Sequence, residues 1–310
     1  MSTQSDSEGK RPRVGYLGPA GTFSEEALRA SAAPGAVEPY ALASIYDTVM
    51  ALRGGEVSWA IVPIENSLEG SINVTLDLLA EDDDDVKIVG EVLLRVRHSL
   101  IGTGDVPLPE IETVITHPQV PGQCTLFLRN QLAHAQVLTA TSTAEAVRTV
   151  MAQGRREQAA LGTPLAAKIY GGVVICEGVE DRDDNETRFV WLAGRALATQ
   201  PAPLRASSGA EWKTSLVFWG AGAERPGWLV HCLDEFARRD INLTKIESRP
   251  RRERLGSYMF FADLAASMND SSVTDAIASL RAMCEDVRVL GSYPSAEDPQ
   301  GRSLGRREHG

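Results

Sequence analysis

The sequence predicts an α/β protein in two parts, a long strand–helix alternation followed by a smaller ferredoxin-like β-α-β-β-α-β unit. Three observations predict this. From Arg13 to about Gly194, short apolar runs alternate with segments of helical spacing. At 201–210 the text changes to PAPLRASSGA, a small-residue, proline-bearing linker. Beyond it, six periodic segments follow in β-α-β-β-α-β order over roughly 80 residues.

Each element has its own signal. RVGYLG is a strand. TFSEEALRAS is a helix opened by a capping box, Thr22 to Glu25. WAIVPIEN is a buried strand, and INVTLDLLA a helix with Ile72, Leu76 and Leu79 on one face. VKIVGEVLLRVRHSLIG supplies two strands and ETVITHP another. A helix is expected from about Gly122 to Leu132. AQVLTATS is a strand, and Ser142 to Glu145 forms a second capping box. QAALGTP is a strand with Pro164 at the first helical position; that helix ends at Gly171-Gly172. VVICEGV precedes a strand in DDNETRFVWLAG. This alternation argues for a largely parallel sheet. In the second part KTSLVFWG, INLTKIES, GSYMFFADL and VRVLGSYP read as strands. Helices are expected from about Pro226 to Arg239 and from about Ser272 to Cys284. The polar tail SAEDPQGRSLGRREHG is expected to be disordered.

Composition narrows the function. Of 310 residues, 43% are hydrophobic and 24% charged, ordinary for a globular chain. No apolar run approaches about 18 residues, so no membrane span is expected. The N-terminus MSTQSDSEGKRPR lacks an apolar signal core, which makes a cytoplasmic protein the default. A net charge of -11 argues against nucleic acid as a partner. Cys124, Cys176, Cys232 and Cys284 have neither disulfide-framework nor zinc spacing and read as reduced thiols. The run EDDDD, Glu81 to Asp85, reads as a solvated turn without the alternation or glycine of a calcium loop.

The candidate site residues lie where strands run into helices. Gly15, Gly18 and Gly21 are spaced by three, which is not the dinucleotide fingerprint. The loop nevertheless leads into a helix at Thr22, and free N–H groups at such an end suit an anion. The strand ending at Pro63-Ile64 runs into a dense polar group, Glu65, Asn66, Ser67, Glu69 and Ser71. His117 and Gln119 stand in a third loop. Open α/β sheets place ligands at such strand ends. In NETRF, alternation puts Thr187, Phe189 and Trp191 on one face and Arg188 on the other.

Taken together, GPAGTFSEEA, VPIENSLEGSINVTLDLL, HPQ, STAEA, NETRF, ESRP and GSYP strongly resemble prephenate dehydratases, from about Arg13 to Pro294. The resemblance implies a two-lobed α/β catalytic domain at 12–197, similar to type II periplasmic binding proteins. One lobe would be 12–97 completed by 187–197, the other 98–186. A C-terminal ACT regulatory domain is implied at 211–295, with 1–11 and 296–310 disordered. A dozen polar residues before the first strand leave no room for the mutase bundle of bifunctional relatives, so a monofunctional enzyme is expected. The implied reaction is loss of CO2 and water from prephenate to give phenylpyruvate, with no cofactor and no metal. Arogenate dehydratase and a non-catalytic solute-binding protein are the alternatives.

The resemblance also implies roles. Thr187 would be the essential threonine, donating to the leaving hydroxyl and relaying a proton from water or from Glu65. Phe189 would pack by the substrate ring. Arg188 and N–H groups near Gly21 and Asn66 would hold carboxylates; alternation requires either a bent strand or an Arg188 that braces the second lobe. Ala20, Thr22, Ser67, Gly70, Ser71, His117, Gln119 and Asn185 complete the substrate-binding set. In the ACT domain PGWLV and ESRP match the phenylalanine-sensing motifs, giving Gly227, Trp228, Leu229, Val230, Glu247, Ser248, Arg249 and Pro250. Glu247 either receives an amino group or braces the loop. Trp228 departs from the family pattern, which has alanine there; its indole either enters the effector pocket or lies along a dimer interface. A homodimer or homotetramer with L-phenylalanine as effector follows from the resemblance.

Overall fold

The computed structural model describes residues 11–81, 85–205, 211–220, 225–252 and 256–296. Asp82 to Asp84 of the acidic run, most of the two expected disordered ends and the second half of the linker lie outside these.

The first sheet is built from β1 (Arg13–Leu17), β2 (Glu38–Leu42), β3 (Trp59–Asn66), the short β4 (Gly70–Ser71), β5 (Val86–Arg95) and the late strand β11 (Glu186–Gly194). Its order is β2-β1-β3-β11-β5, with β4 on β3. Helices α1 (Phe23–Ser31), α2 (Ile45–Arg53) and α3 (Asn73–Ala80) cover it. The second sheet holds β6 (Ser99–Gly102), β7 (Thr113–Thr116), β8 (Gln136–Thr139), β9 (Gln158–Gly162) and β10 (Val173–Glu177), ordered β10-β6-β9-β7-β8. It carries α4 (Val120–Gln123), α5 (Thr125–Gln131), α6 (Thr143–Gln153) and α7 (Pro164–Tyr170).

Both sheets are mixed rather than largely parallel. β11 runs antiparallel to β3 and β5, and β6 antiparallel to β9 and β10. The reason is topological: β11 returns to the first sheet from the second, and a strand inserted by such a return can run against its neighbours. The expected helix near Gly122 begins earlier, at Val120, and breaks at Cys124. The Thr22 capping box is displaced. The Thr22 hydroxyl donates to Leu17 O, while Glu25 accepts from Gly21 N at 2.7 Å. At Ser142 half of the box forms: its oxygen accepts from Glu145 N, but Glu145 pairs with Arg148.

The C-terminal unit comprises β12 (Trp212–Trp219), α8 (Trp228–Ala237), β13 (Leu243–Pro250), β14 (Tyr258–Leu264), α9 (Ser271–Met283) and β15 (Asp286–Pro294). The sheet order β13-β14-β12-β15, antiparallel at every pairing, is ferredoxin-like. Both helices pack on one face through Leu216, Phe218, Cys232, Phe236, Ala262 and Leu280. The other face carries Val217, Trp219, Phe261, Leu290 and Tyr293 into the same core as Ile88, Val190 and Leu192 of the first sheet. Gly291 makes this docking close: a β-carbon there would collide with the Ile88 carbonyl. The C-terminal unit is thus fused to the first sheet by a shared apolar core, whose burial is the main stabilising term.

Candidate active site

The two sheets face each other across a cleft of about 280 Å³. Six residues expected from the sequence line it: Thr22, Asn66, His117, Gln119, Asn185 and Thr187. A larger groove, about 690 Å³, lies at the junction of β5, the linker and β15, and shares no residue with the cleft.

Asn66 organises the centre. It ends β3, and its Oδ1 accepts from the N–H groups of Leu68 and Glu69 at 2.9 and 3.0 Å. Two fixed donors on one amide atom identify that atom as the oxygen. Its Nδ2 then donates to Thr187 Oγ1 at 2.9 Å and to Asn185 Oδ1 at 2.9 Å. The Thr187 oxygen is therefore an acceptor toward Asn66, and its own proton is free to point into the cleft.

A polar chain closes the cleft from the second sheet. Asn185 Nδ2 donates to Gln123 Oε1 at 3.3 Å, and His98 Nε2 meets the same oxygen at 2.9 Å. Gln123 and Gln119 donate to the two oxygens of Glu69 at 3.2 and 2.6 Å. Burial pushes the His98 pKa down, against hydrogen bonding to Gln123. The His98 ring stands edge-on to Phe23 at 5.5 Å. Phe23, Ile72, Val96 and Val120 supply apolar wall. Among the described residues that line the cleft there is no lysine or arginine. Two helix starts line it instead: Thr22, Phe23 and Ser24 open α1, and Ser142 and Thr143 open α6. Such ends carry unpaired N–H groups and about half a positive charge.

Several expected residues stand elsewhere. The Arg188 side chain faces away from the cleft, in keeping with strand alternation, and braces the C-terminal unit rather than the second lobe. It donates to Glu91 at 2.6 Å, Asp263 at 2.6 Å and Tyr293 at 2.8 Å. Burial opposes its charge, but Asp263, Tyr293 and Glu91 hold its pKa well above the ordinary value. Glu65 lies on that same side, 3.1 Å from Lys245 and 3.5 Å from Arg188, and does not reach Thr187. Phe189 is 2% exposed in the core between the first sheet and α1, so it is not a wall of the cleft.

Ala20 and Gly21 form a second contact between the lobes. Their carbonyls accept from Tyr170 and Thr163 at 2.8 and 2.7 Å. Gly21 has φ +87, and a β-carbon there would lie 2.8 Å from Ala166 Cα. Ser67 ties its loop to β11, accepting from Glu186 N at 2.9 Å. Gly70 makes the turn into β4 with φ +82, and Ser71 points to Glu247.

The C-terminal motif residues divide between two faces of their sheet. Lys245, Glu247 and Arg249 point to the first sheet and its helix α3: Glu247 bonds Ser71, and Arg249 pairs with Asp77 at 2.8 Å. Ser248 and Pro250 are exposed. Trp228 lies on the helix face, between Phe218 and Phe260 at 6.2 and 6.0 Å, and its Nε1 donates to Met283 O at 3.1 Å. Gly227, with φ +84, caps α8; Leu229 is half-buried and Val230 is 66% exposed.

His98, Gln123, Phe23 and Thr143 are cleft residues that the sequence reading did not single out, and Glu69 was named only as part of a polar group without a role. Gln123 had a signal, since it follows Gln119 by one helical turn. His98 had none, standing alone between two strands.

This is an enzyme-like cleft: two α/β lobes, a polar centre of hydroxyl and amide groups, and helix starts in place of cationic side chains. The family model for prephenate dehydratase matches residues 14–196. A prephenate dehydratase from Mycobacterium sp. (strain JLS) is 40% identical over 294 residues, covering 92% of this chain and 89% of that protein. One from Amycolatopsis methanolica is 39% identical over 285 residues, with the same coverages. The structure of prephenate dehydratase in complex with L-Phe from Arthrobacter aurescens is similar at 34% identity and TM-score 0.79, covering 91% of this chain and 89% of that one. GqqA, described as a novel type of quorum quenching acylase, is similar at 28% identity and TM-score 0.79, covering 94% and 100%. The chain belongs to the prephenate dehydratase family.

Proposed function

We propose that this chain eliminates CO2 and water from prephenate to form phenylpyruvate, with Thr187 assisting departure of the ring hydroxyl. The observation that carries the role of Thr187 is its hydrogen bond from Asn66. That bond takes one lone pair and leaves the hydroxyl to donate to the departing oxygen, while water supplies the proton that completes the leaving water. Aromatisation drives the reaction, so the protein has to align two leaving groups rather than supply a strong reagent. The substrate is a dianion, and the starts of α1 and α6 offer N–H groups to its carboxylates. Phe23, Ile72, Val96 and Val120 pack its ring. General-acid help of this kind is worth about 10² to 10⁴ in rate, or roughly 3 to 5 kcal/mol.

Acyl transfer, the activity named for GqqA, is less well supported here. It calls for a nucleophile beside a base. The Thr22 hydroxyl bonds a carbonyl, Ser142 accepts from a backbone N–H and Thr187 accepts from an amide.

The C-terminal unit is read as an ACT regulatory domain for L-phenylalanine. The support is its ferredoxin-like order, the PGWLV and ESRP motifs and the L-Phe complex of the relative from Arthrobacter aurescens. Exposed Val230 and Ile246 suit pairing with a second copy. A homodimer or homotetramer acting in the cytoplasm completes this reading.

Purified protein incubated with prephenate, and separately with arogenate, tests the substrate. Phenylpyruvate from prephenate at a much higher kcat/KM is expected; faster formation of phenylalanine from arogenate overturns the assignment.

A further inference from the structure

β11 carries two adjacent residues with opposite duties. Thr187 faces the cleft, and Arg188 faces the C-terminal sheet. On the β3 side the register shifts between Arg188 and Phe189, whereas the pairing with β5 runs unbroken from Glu186 to Trp191. Side chains add a second constraint on the irregular β3 side. Arg188 and Lys213 share Glu91 at 2.6 and 2.7 Å, and Arg188 also reaches Asp263. Tyr293 accepts from Arg188 and lies 2.6 Å from the Ser215 hydroxyl, which donates to Asp263 at 2.5 Å. Two cations and two anions make a neutral set, and all four are under a tenth exposed. Lys213, Ser215, Asp263 and Tyr293 come from the C-terminal unit.

A buried ion cluster seldom stabilises a protein more than apolar packing would; its best attested use is to fix one register. A second tie acts on the neighbouring strand. Lys245 holds Glu65, and Glu247 bonds Ser71. Between Glu65 and Ser71 stands Asn66, the residue that bonds Thr187. Both strands at the reacting centre are therefore pinned from behind by the same sheet. We propose that Arg188 is a positioning residue, clamped by Asp263 and Tyr293, which sets the place of the Thr187 hydroxyl and makes the C-terminal unit part of the catalytic geometry. This rests on the reading of Thr187 given above.

The test uses the full-length chain and prephenate. Tyr293→Phe removes one hydroxyl from the clamp and keeps the packing. Asp263→Asn removes a charge at similar shape. Lys87→Met is the control: it cuts a bond to Val289 O across the same interface, away from the clamp. Small misplacements of a reacting group are costly. Tyr293→Phe should lower kcat about tenfold and leave KM within about twofold, while Lys87→Met keeps the parent kcat. In a Thr187→Ala background Tyr293→Phe should add no further loss, because a clamp acting through Thr187 has nothing left to position. An equal fold-loss in both backgrounds overturns the proposal. So does a parent-like kcat for both clamp variants beside an impaired Thr187→Ala. If Thr187→Ala itself keeps parent kcat, the Thr187 reading is what fails.

Discussion

Asn66→Asp is an isosteric change with a predictable effect on one proton. One oxygen of the new carboxylate continues to accept from Leu68 N and Glu69 N. The other replaces Nδ2, 2.9 Å from Thr187 Oγ1. A carboxylate can only accept, so the Thr187 hydroxyl must now donate to it. The proton turns away from the substrate, and the leaving hydroxyl loses its partner. The loss should approach the whole general-acid contribution, about 10² or more in kcat, or roughly 3 kcal/mol. The added charge also repels a dianion. At an effective dielectric near 20, charges 4 to 8 Å apart repel by roughly 2 to 4 kcal/mol, which raises KM. Asn66→Ala separates these effects, because it removes the donor without recruiting the Thr187 proton. Initial rates of phenylpyruvate formation over a range of prephenate concentrations give both constants. The expected order of kcat is parent, then Asn66→Ala, then Asn66→Asp. An aspartate variant that turns over faster than the alanine variant would refute the assignment of the Thr187 proton.

Three further predictions concern stability. Burial pushes the Glu26 carboxyl up to about 7 from the ordinary 4.5, opposed by hydrogen bonds from Leu165 N and Thr163. This raised pKa favours the folded state below about 4.5, and that contribution disappears as pH rises through about 7. Between pH 6 and 8 the parent should lose about 1 kcal/mol more than Glu26→Gln in urea unfolding; parallel pH profiles would exclude it. Gly291→Ala places a methyl against the Ile88 carbonyl and should cost about 1 to 3 kcal/mol, read as a lower urea midpoint. An unchanged midpoint would mean the two sheets are not docked as described. Trp228→Ala empties the space between Phe218, Phe260 and Met283 and should cost about 3 to 5 kcal/mol; a loss below about 1 kcal/mol would place the indole outside this core.

How far the sequence could be read depended on whether a signal was local. Pro164 opens α7 and Gly171 closes it with φ +78, because both residues restrict or permit backbone angles directly. The β-α-β-β-α-β order was legible for the same reason. β2 and α2 passed unassigned. EPYAL is short, carries a proline and is half-exposed, so it offers little pattern. α2 did have a start signal, since Ser44 accepts from Asp47 N. In the cleft, alternation along β11 gave the opposite facings of Thr187 and Arg188. It could not give what lay behind Arg188, since Asp263 and Tyr293 are 75 and 105 residues away. The same limit explains Glu65 and Phe189. Motif membership placed them near the reaction, but Glu65 is one step from Asn66 and so turns to the opposite face, while Phe189 shares the face of Thr187 and is covered there by Ala27 and Leu28 of α1.

The hydroxyl of Thr187 carries the central claim, and the kcat of Thr187→Ala on prephenate tests it most directly. The alanine variant should fall by about 10² or more in kcat with a smaller change in KM, and Thr187→Ser should keep part of the activity. A Thr187→Ala enzyme that forms phenylpyruvate at the parent kcat would contradict the account.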